Sequence, residues 1–169
     1  MAHNQVQSSN GGKLRAAVIT VSDSCARGES KDLSGPAVAE VLRKHEFEVT
    51  ETQLVSDDQR AIAAALVSLS AKVQLIVTTG GTGIAPRDVT PEATRAVCER
   101  LIEGVSEKMR AEGTKKTPYA ALSRGVCGTR GTCLILNLPG SPAGAVESLE
   151  AVIDLLPHAL QLLSGNTRH

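Results

Sequence analysis

The sequence predicts an open α/β sheet in three layers, mostly parallel, with helices on both faces and one antiparallel hairpin. Three observations carry this. Apolar runs of strand length alternate with segments that have helix punctuation and a helical apolar stripe. The core has to be aliphatic, because 169 residues include one Phe, one Tyr and no Trp, and Ala, Val, Leu and Ile suit buried parallel strands. Polar segments, two of them glycine-bearing, follow the strands: Ser22-Asp23-Ser24, Gly80 to Asp88, and Pro139 to Gly144. Ligands of open α/β sheets bind beyond the carboxyl ends of the strands, where these segments fall.

Residues 1–13 are polar and read as a disordered tail, leaving 14–169 as one domain. Leu14 to Val21 is a continuous apolar run, hence a strand buried on both faces, and Cys25 to Leu33 reads as a loop. Ser34-Gly35-Pro36 opens a helix with Ser34 expected as N-cap and Val38, Val41 and Leu42 as its buried stripe. Phe47 to Val55 alternates, as a strand near a sheet edge does. Asp57 or Asp58 caps the next helix, whose face is Ile62, Ala65, Leu66 and Leu69. Val73 to Thr79 is a second apolar strand running into Gly80-Gly81-Thr82-Gly83.

Thr90-Pro91-Glu92 starts a third helix with Thr90 as expected N-cap, broken at Gly104, with a short helix from Val105 to Glu112 after it. Gly113 to Thr117 is a basic turn, and Thr117-Pro118 begins a helical stretch to Ser123. Strands at Val126–Cys127 and Thr132–Leu138 flank Gly128-Thr129-Arg130-Gly131, the expected hairpin turn. Helices over Ala143–Leu155 and Pro157–Ser164 close the chain.

Composition excludes several functions. Lys plus Arg and Asp plus Glu both total 18, so a non-specific nucleic-acid binder, which needs a positive excess, is not expected. The scarcity of aromatics argues against stacking platforms for single strands. There is no apolar run of about 18 residues to span a membrane, and Met1 to Gly12 lacks the apolar stretch of a secretory signal. Cys25, Cys98, Cys127 and Cys133 form no Cys-x-x-Cys pair, so they read as reduced, mostly buried thiols of a cytoplasmic protein.

The chemistry on offer is carboxylate and phosphate chemistry. Gly80 to Gly83 can curl backbone N–H groups around an anion, or can simply be a tight strand exit. It is no Walker A loop, and Pro86 spoils a dinucleotide fingerprint. Asp88, Asp57 and Asp23 stand at strand exits, where each could serve a helix start or hold Mg²⁺ against phosphates. Arg87 and Arg124 could fork onto an anion or lie on the surface. The four histidines sit near termini or in helices, in no nucleophilic pattern.

Four blocks resemble one family: Thr20-Val-Ser-Asp-Ser24, Thr78 through Thr94, Leu122-Ser-Arg124, and Leu136-Asn-Leu-Pro-Gly-Ser141. It is the molybdopterin adenylyltransferase family, bacterial MogA/MoaB-type proteins and the G domain of gephyrin, and the similarity is collinear from Leu14 to Ser164. The resemblance implies the molybdopterin-binding-like fold and Mg²⁺- and ATP-dependent adenylylation of molybdopterin, releasing pyrophosphate. It implies catalytic, magnesium-holding roles for Asp57 and Asp88. Ser22, Asp23, Ser24, Gly80, Gly81, Thr82, Gly83, Pro139, Gly140 and Ser141 match positions serving nucleotide and phosphate, and Thr82, Ser123 and Arg124 the pterin. It also implies a homotrimer and hand-over of product to a molybdate-inserting enzyme. The alternative is a non-catalytic pterin-binding or scaffold member of the same family.

Overall fold

The structure is a computed structural model, and it describes residues 12–167. The tail expected over 1–13 falls outside the described residues as far as residue 11. Six strands form one sheet: β1 (Arg15–Val21), β2 (Glu48–Val55), β3 (Leu75–Thr79), β4 (Arg100–Leu101), β5 (Cys127–Arg130) and β6 (Cys133–Leu138). Their order is β2-β1-β3-β6-β5-β4. β2, β1, β3 and β6 run parallel, while β5 pairs antiparallel with both β6 and β4. Among the described residues seven α-helices accompany them: α1 (Asp23–Ala26), α2 (Ser34–Lys44), α3 (Gln59–Ser70), α4 (Thr90–Val97), α5 (Glu103–Thr114), α6 (Pro142–Val152) and α7 (Leu156–Leu163).

The strands read as unbroken apolar runs because both faces are covered. Ala16, Val18, Leu75, Val77, Leu134 and Leu136 face a core shared with α2, α5, α6 and α7. The alternate residues Ala17, Ile19, Val21, Ile76 and Ile135 face a second core under α3 and α4. Period-two alternation therefore sorts one strand's apolar residues into two cores. At the sheet's centre Asn137 is buried and satisfied: its Nδ2 donates to Thr78 Oγ1 and Thr94 Oγ1, both at 3.0 Å, and its Oδ1 accepts from Val126 N at 3.1 Å. That network ties β3, β6, α4 and the start of β5 below the strand ends. The chain leaves β1 on one side to β2 and returns on the other to β3, so the strand order reverses between β1 and β3, where a crevice opens.

Five expectations need correction. Ser34 is not the cap of α2 but its first residue; the cap position is Leu33, which has no side-chain acceptor, and the preceding Asp32 supplies one instead, its Oδ1 accepting from Gly35 N at 2.9 Å. Thr90 likewise lies inside α4, and its hydroxyl donates to Gly80 O at 2.9 Å instead. The third helix stops at Val97, not Gly104, because Glu99 N and Ile102 N bond to Thr129 O and Cys127 O and lay Arg100–Leu101 down as β4. Gly104 then belongs to the first turn of α5. The hairpin turns at Gly131-Thr132, with Gly131 at φ 57°, so Gly128 to Arg130 are strand. A single turn of helix, α1, occupies part of the expected loop after β1. The stretch from Pro118 to Leu122 is a 3₁₀ helix, its Thr117 hydroxyl accepting from Tyr119 N at 3.3 Å.

Cys127 and Cys133 are buried thiols, pushed up to about 12 by burial, and the half-buried Cys98 is raised to about 11 for the same reason. All four cysteines are free. No helix among the described residues is long and apolar enough to cross a membrane.

Candidate active site

The crevice is organised by the turn that ends β3. Gly80 and Gly81 both have positive φ, 100° and 67°. Space demands glycine as well: a Cβ on Gly80 would lie 2.3 Å from Val21 O, and one on Gly81 2.3 Å from Thr90 Oγ1. Thr90 N donates to Gly81 O at 3.1 Å, and Gly80 N to Leu138 O at 3.1 Å, so the turn is fastened to α4 and β6. Gly140 packs against it, its Cβ position 3.3 Å from Gly80 Cα.

Asp57 and Asp88 flank this turn. The cap of α3 is Asp58, whose carboxylate accepts from Ala61 N at 2.9 Å, and this frees Asp57. Asp57 Oδ2 accepts from Asp23 N at 2.9 Å, and Asp23 Oδ1 accepts from Asp57 N at 3.0 Å, a reciprocal pair joining the exits of β1 and β2. Asp57 Oδ1 comes 3.2 Å from the Cβ position of Gly81. On the other side Asp88 Oδ2 accepts from Ala85 N at 3.0 Å and lies 2.8 Å from the Cβ position of Gly83. Burial pushes the Asp57 carboxyl above its ordinary range, and the neighbouring charges of Asp23 and Asp88 add to that. Asp23 is held low by the bidentate fork of Arg87, whose Nε and Nη2 donate at 2.6 and 3.0 Å.

Two adjoining clefts open here. One, of about 400 Å³, is lined by Ser22, Cys25, Lys31, Asp57 and Gly80. The other, of about 690 Å³, is lined by Thr82, Gly83, Tyr119, Ser123, Pro139 and Ser141. They share Gly81, Asp88 and Gly140. Of the residues singled out in the sequence, Asp23, Ser24, Arg87 and Arg124 line neither cleft. Asp23 is spent on Arg87 and Asp57, and the Ser24 hydroxyl lies 3.2 Å from that of Ser22. Ser22 caps α1, accepting from Cys25 N, and Ser141 caps α6, accepting from Gly144 N at 3.1 Å.

Sequence reasoning missed Lys31, the cation on the wall of the smaller cleft. It also missed Tyr119 and the Lys116–Glu147 ion pair, at 3.1 Å, on the wall of the larger one. The basic turn was a visible signal for Lys116; nothing local pairs it with a glutamate of α6.

A hard cation would suit this donor set. Among the described residues no three or more His, Cys, Asp or Glu side chains group as a metal site. Asp57 and Asp88 are two oxygen donors around one anion-suited turn, and Mg²⁺ characteristically takes one or two carboxylates and completes its shell with phosphate and water.

Comparison with known proteins decides the family. The family described as "probable molybdopterin binding domain" matches residues 17–158. The chain belongs to this family. It is 41% identical over 157 residues to the molybdopterin adenylyltransferase of Helicobacter pylori J99, covering 90% of this chain and 89% of that one. The solved molybdopterin biosynthesis enzyme MoaB of Thermus thermophilus is 52% identical, with a TM-score of 0.85 over 90% of this chain and 97% of that one. Gephyrin of Dictyostelium discoideum is 33% identical over 162 residues, and the chain spans 23% of its length. The mostly parallel sheet with one hairpin is the fold of these family members.

Proposed function

We propose that this protein is a molybdopterin adenylyltransferase that moves AMP from Mg-ATP to the terminal phosphate of molybdopterin. Its place is molybdenum cofactor biosynthesis. In the reaction a phosphate oxygen of molybdopterin bonds to the α-phosphorus of ATP, the bond from that phosphorus to the pyrophosphate oxygen breaks, and pyrophosphate leaves. The observation that carries the reading is the meeting of the two clefts at Gly81, Asp88 and Gly140.

The smaller cleft suits the triphosphate, with the turn amides and Lys31 for its charge. The larger suits the pterin, beside Thr82 and Ser123. Asp57 and Asp88 would hold Mg²⁺, which when bound supplies neutralising charge to the triphosphate. The protein's own groups do the rest. Gly80 and Gly81 give the turn its positive-φ path, which a Cβ would block against Val21 O and Thr90 Oγ1. The reciprocal Asp23–Asp57 bonds and the Arg87 fork fix Asp57 before substrate arrives. The start of α6 at Ser141 adds a helix N-terminus to the wall. Transfer of this kind needs positioning and electrostatics more than a nucleophilic side chain, and none is assigned.

Incubation with Mg-ATP and molybdopterin tests this: mass spectrometry should find AMP joined to the pterin. A folded protein that binds molybdopterin and never adenylylates it would be a pterin-binding scaffold. A homotrimer, a cytoplasmic setting and passage of the product to a molybdate-inserting enzyme belong to the same proposal.

A further inference from the structure

Arg124 sits beside the site but faces away from it. Its backbone N–H donates to Thr82 O at 2.8 Å. Its guanidinium then uses three donors on three separate acceptors: Nε on Gly83 O at 2.7 Å, Nη2 on Asp88 O at 2.7 Å, and Nη1 on the carboxylate of Glu92 in α4. Gly83 and Asp88 are the two ends of a loop whose middle, Ile84 to Arg87, is exposed. Inside the loop a turn is held by Asp88 N to Ala85 O at 2.9 Å and Ala85 N to Asp88 Oδ2 at 3.0 Å. That turn ties Asp88 to Ala85, and Thr90 ties the start of α4 to Gly80 and Gly81, but none of these bonds engages the Gly83 carbonyl. Arg124 closes this gap. It is itself held from beneath, where Arg110 Nη1 of α5 donates to Gly125 O at 3.1 Å.

We propose that Arg124 is a positioning residue that binds no substrate: its fork fastens Gly83 and Asp88 at a fixed separation and anchors both to Glu92. The glycine amides and the Asp88 carboxylate are thereby presented as one rigid unit. Ser123, the preceding residue, lines the larger cleft, so the clamp also sets the pterin wall against the phosphate-binding turn. A lysine cannot replace it, because a single ammonium on a flexible stem does not span three acceptors in a planar fork.

The proposal rests on the adenylyltransferase reading for its kinetic test, and has a second readout that does not. Wild type, Arg124→Lys, Arg124→Ala and Glu92→Gln are compared. With Arg124→Lys, kcat should fall about 10²-fold, the scale of a misplacement near 1 Å, while the dissociation constant of molybdopterin stays at the wild-type value. Free guanidinium should restore part of the rate of Arg124→Ala. Glu92→Gln keeps an acceptor and should lose less than either arginine variant. A raised molybdopterin dissociation constant with kcat retained would make Arg124 a substrate ligand and overturn the clamp, as would full activity in Arg124→Lys. Amide hydrogen exchange at Ala85 and Asp88 should be faster in Arg124→Lys than in wild type. Unchanged exchange overturns the clamp whatever the activity, whereas a wild type inert towards molybdopterin with the faster exchange present removes only the assigned reaction.

Discussion

Asp57 carries a carboxylate that its surroundings do not favour. Burial and the negative charges of Asp23 and Asp88 raise its pKa, so the folded protein holds that proton more tightly than the unfolded chain does. Stability then falls as pH rises from the ordinary carboxylate range through the raised pKa, because in that window the native state binds more protons. Asp57→Asn removes this loss and keeps an oxygen to accept from Asp23 N. The variant should match or exceed the wild-type Tm, with its advantage growing through the same window and constant above it. Its adenylylation rate should fall by about 10²-fold or more, the scale of one lost transition-state contact. Thermal melts across pH, paired with rates, check both halves, and a variant that melts lower above the window would contradict the electrostatic reading. Asp88→Asn should lose a similar factor in rate. If both serve one metal, the double variant should lose less than the product of the singles, since groups that act as a unit are not additive. In the wild type, activity should decline on acidification as Asp57 takes up its proton.

At the scale of elements, the glycines separate into those the turn requires and those it merely tolerates. Gly80→Ala forces a Cβ to 2.3 Å from Val21 O at φ 100° and should destabilise by about 2 kcal/mol or more, with loss of activity. Gly104 sits in the first turn of α5 with open space around its Cβ position. Gly104→Ala should therefore stabilise by about 0.5–1 kcal/mol and leave the rate untouched. Denaturant titrations decide both, and a destabilised Gly104→Ala would contradict the assignment of α5. This second case marks what sequence can and cannot reveal. The buried strands and the glycine turn were legible because their signals are local. The end of α4 was not, since Glu99 and Ile102 leave the helix to bond with Thr129 and Cys127 in a strand formed later in the chain. Caps misled for a similar reason: Ser34 and Thr90 have the right side chains but lie inside their helices, where Asp32 accepts from Gly35 N and the Thr90 hydroxyl donates to Gly80 O. Asp57 and Asp88 could be picked as candidates from sequence. Which of Asp57 and Asp58 was free for the crevice depended on where the cap formed.

The whole molecule is one sheet whose reversal between β1 and β3 brings distant segments to one edge. Residues near 22, 57, 80–88, 123 and 139–141 share no local pattern, and the topology alone makes them neighbours. The outer surface keeps Leu155 and Leu162 exposed near the carboxyl end, at 45% and 41%. We expect a homotrimer, and sedimentation equilibrium at micromolar concentration should return three times the 17.6 kDa chain mass; a monomer there would refute it. In the proposed reaction the two clefts serve one transfer of AMP. Pyrophosphate release tests it most directly, measured with Mg-ATP in the presence and absence of molybdopterin. Release should require molybdopterin and match the adenylyl-molybdopterin formed, mole for mole. Pyrophosphate released equally without the pterin, or no release from protein shown to bind both ligands, would contradict the account.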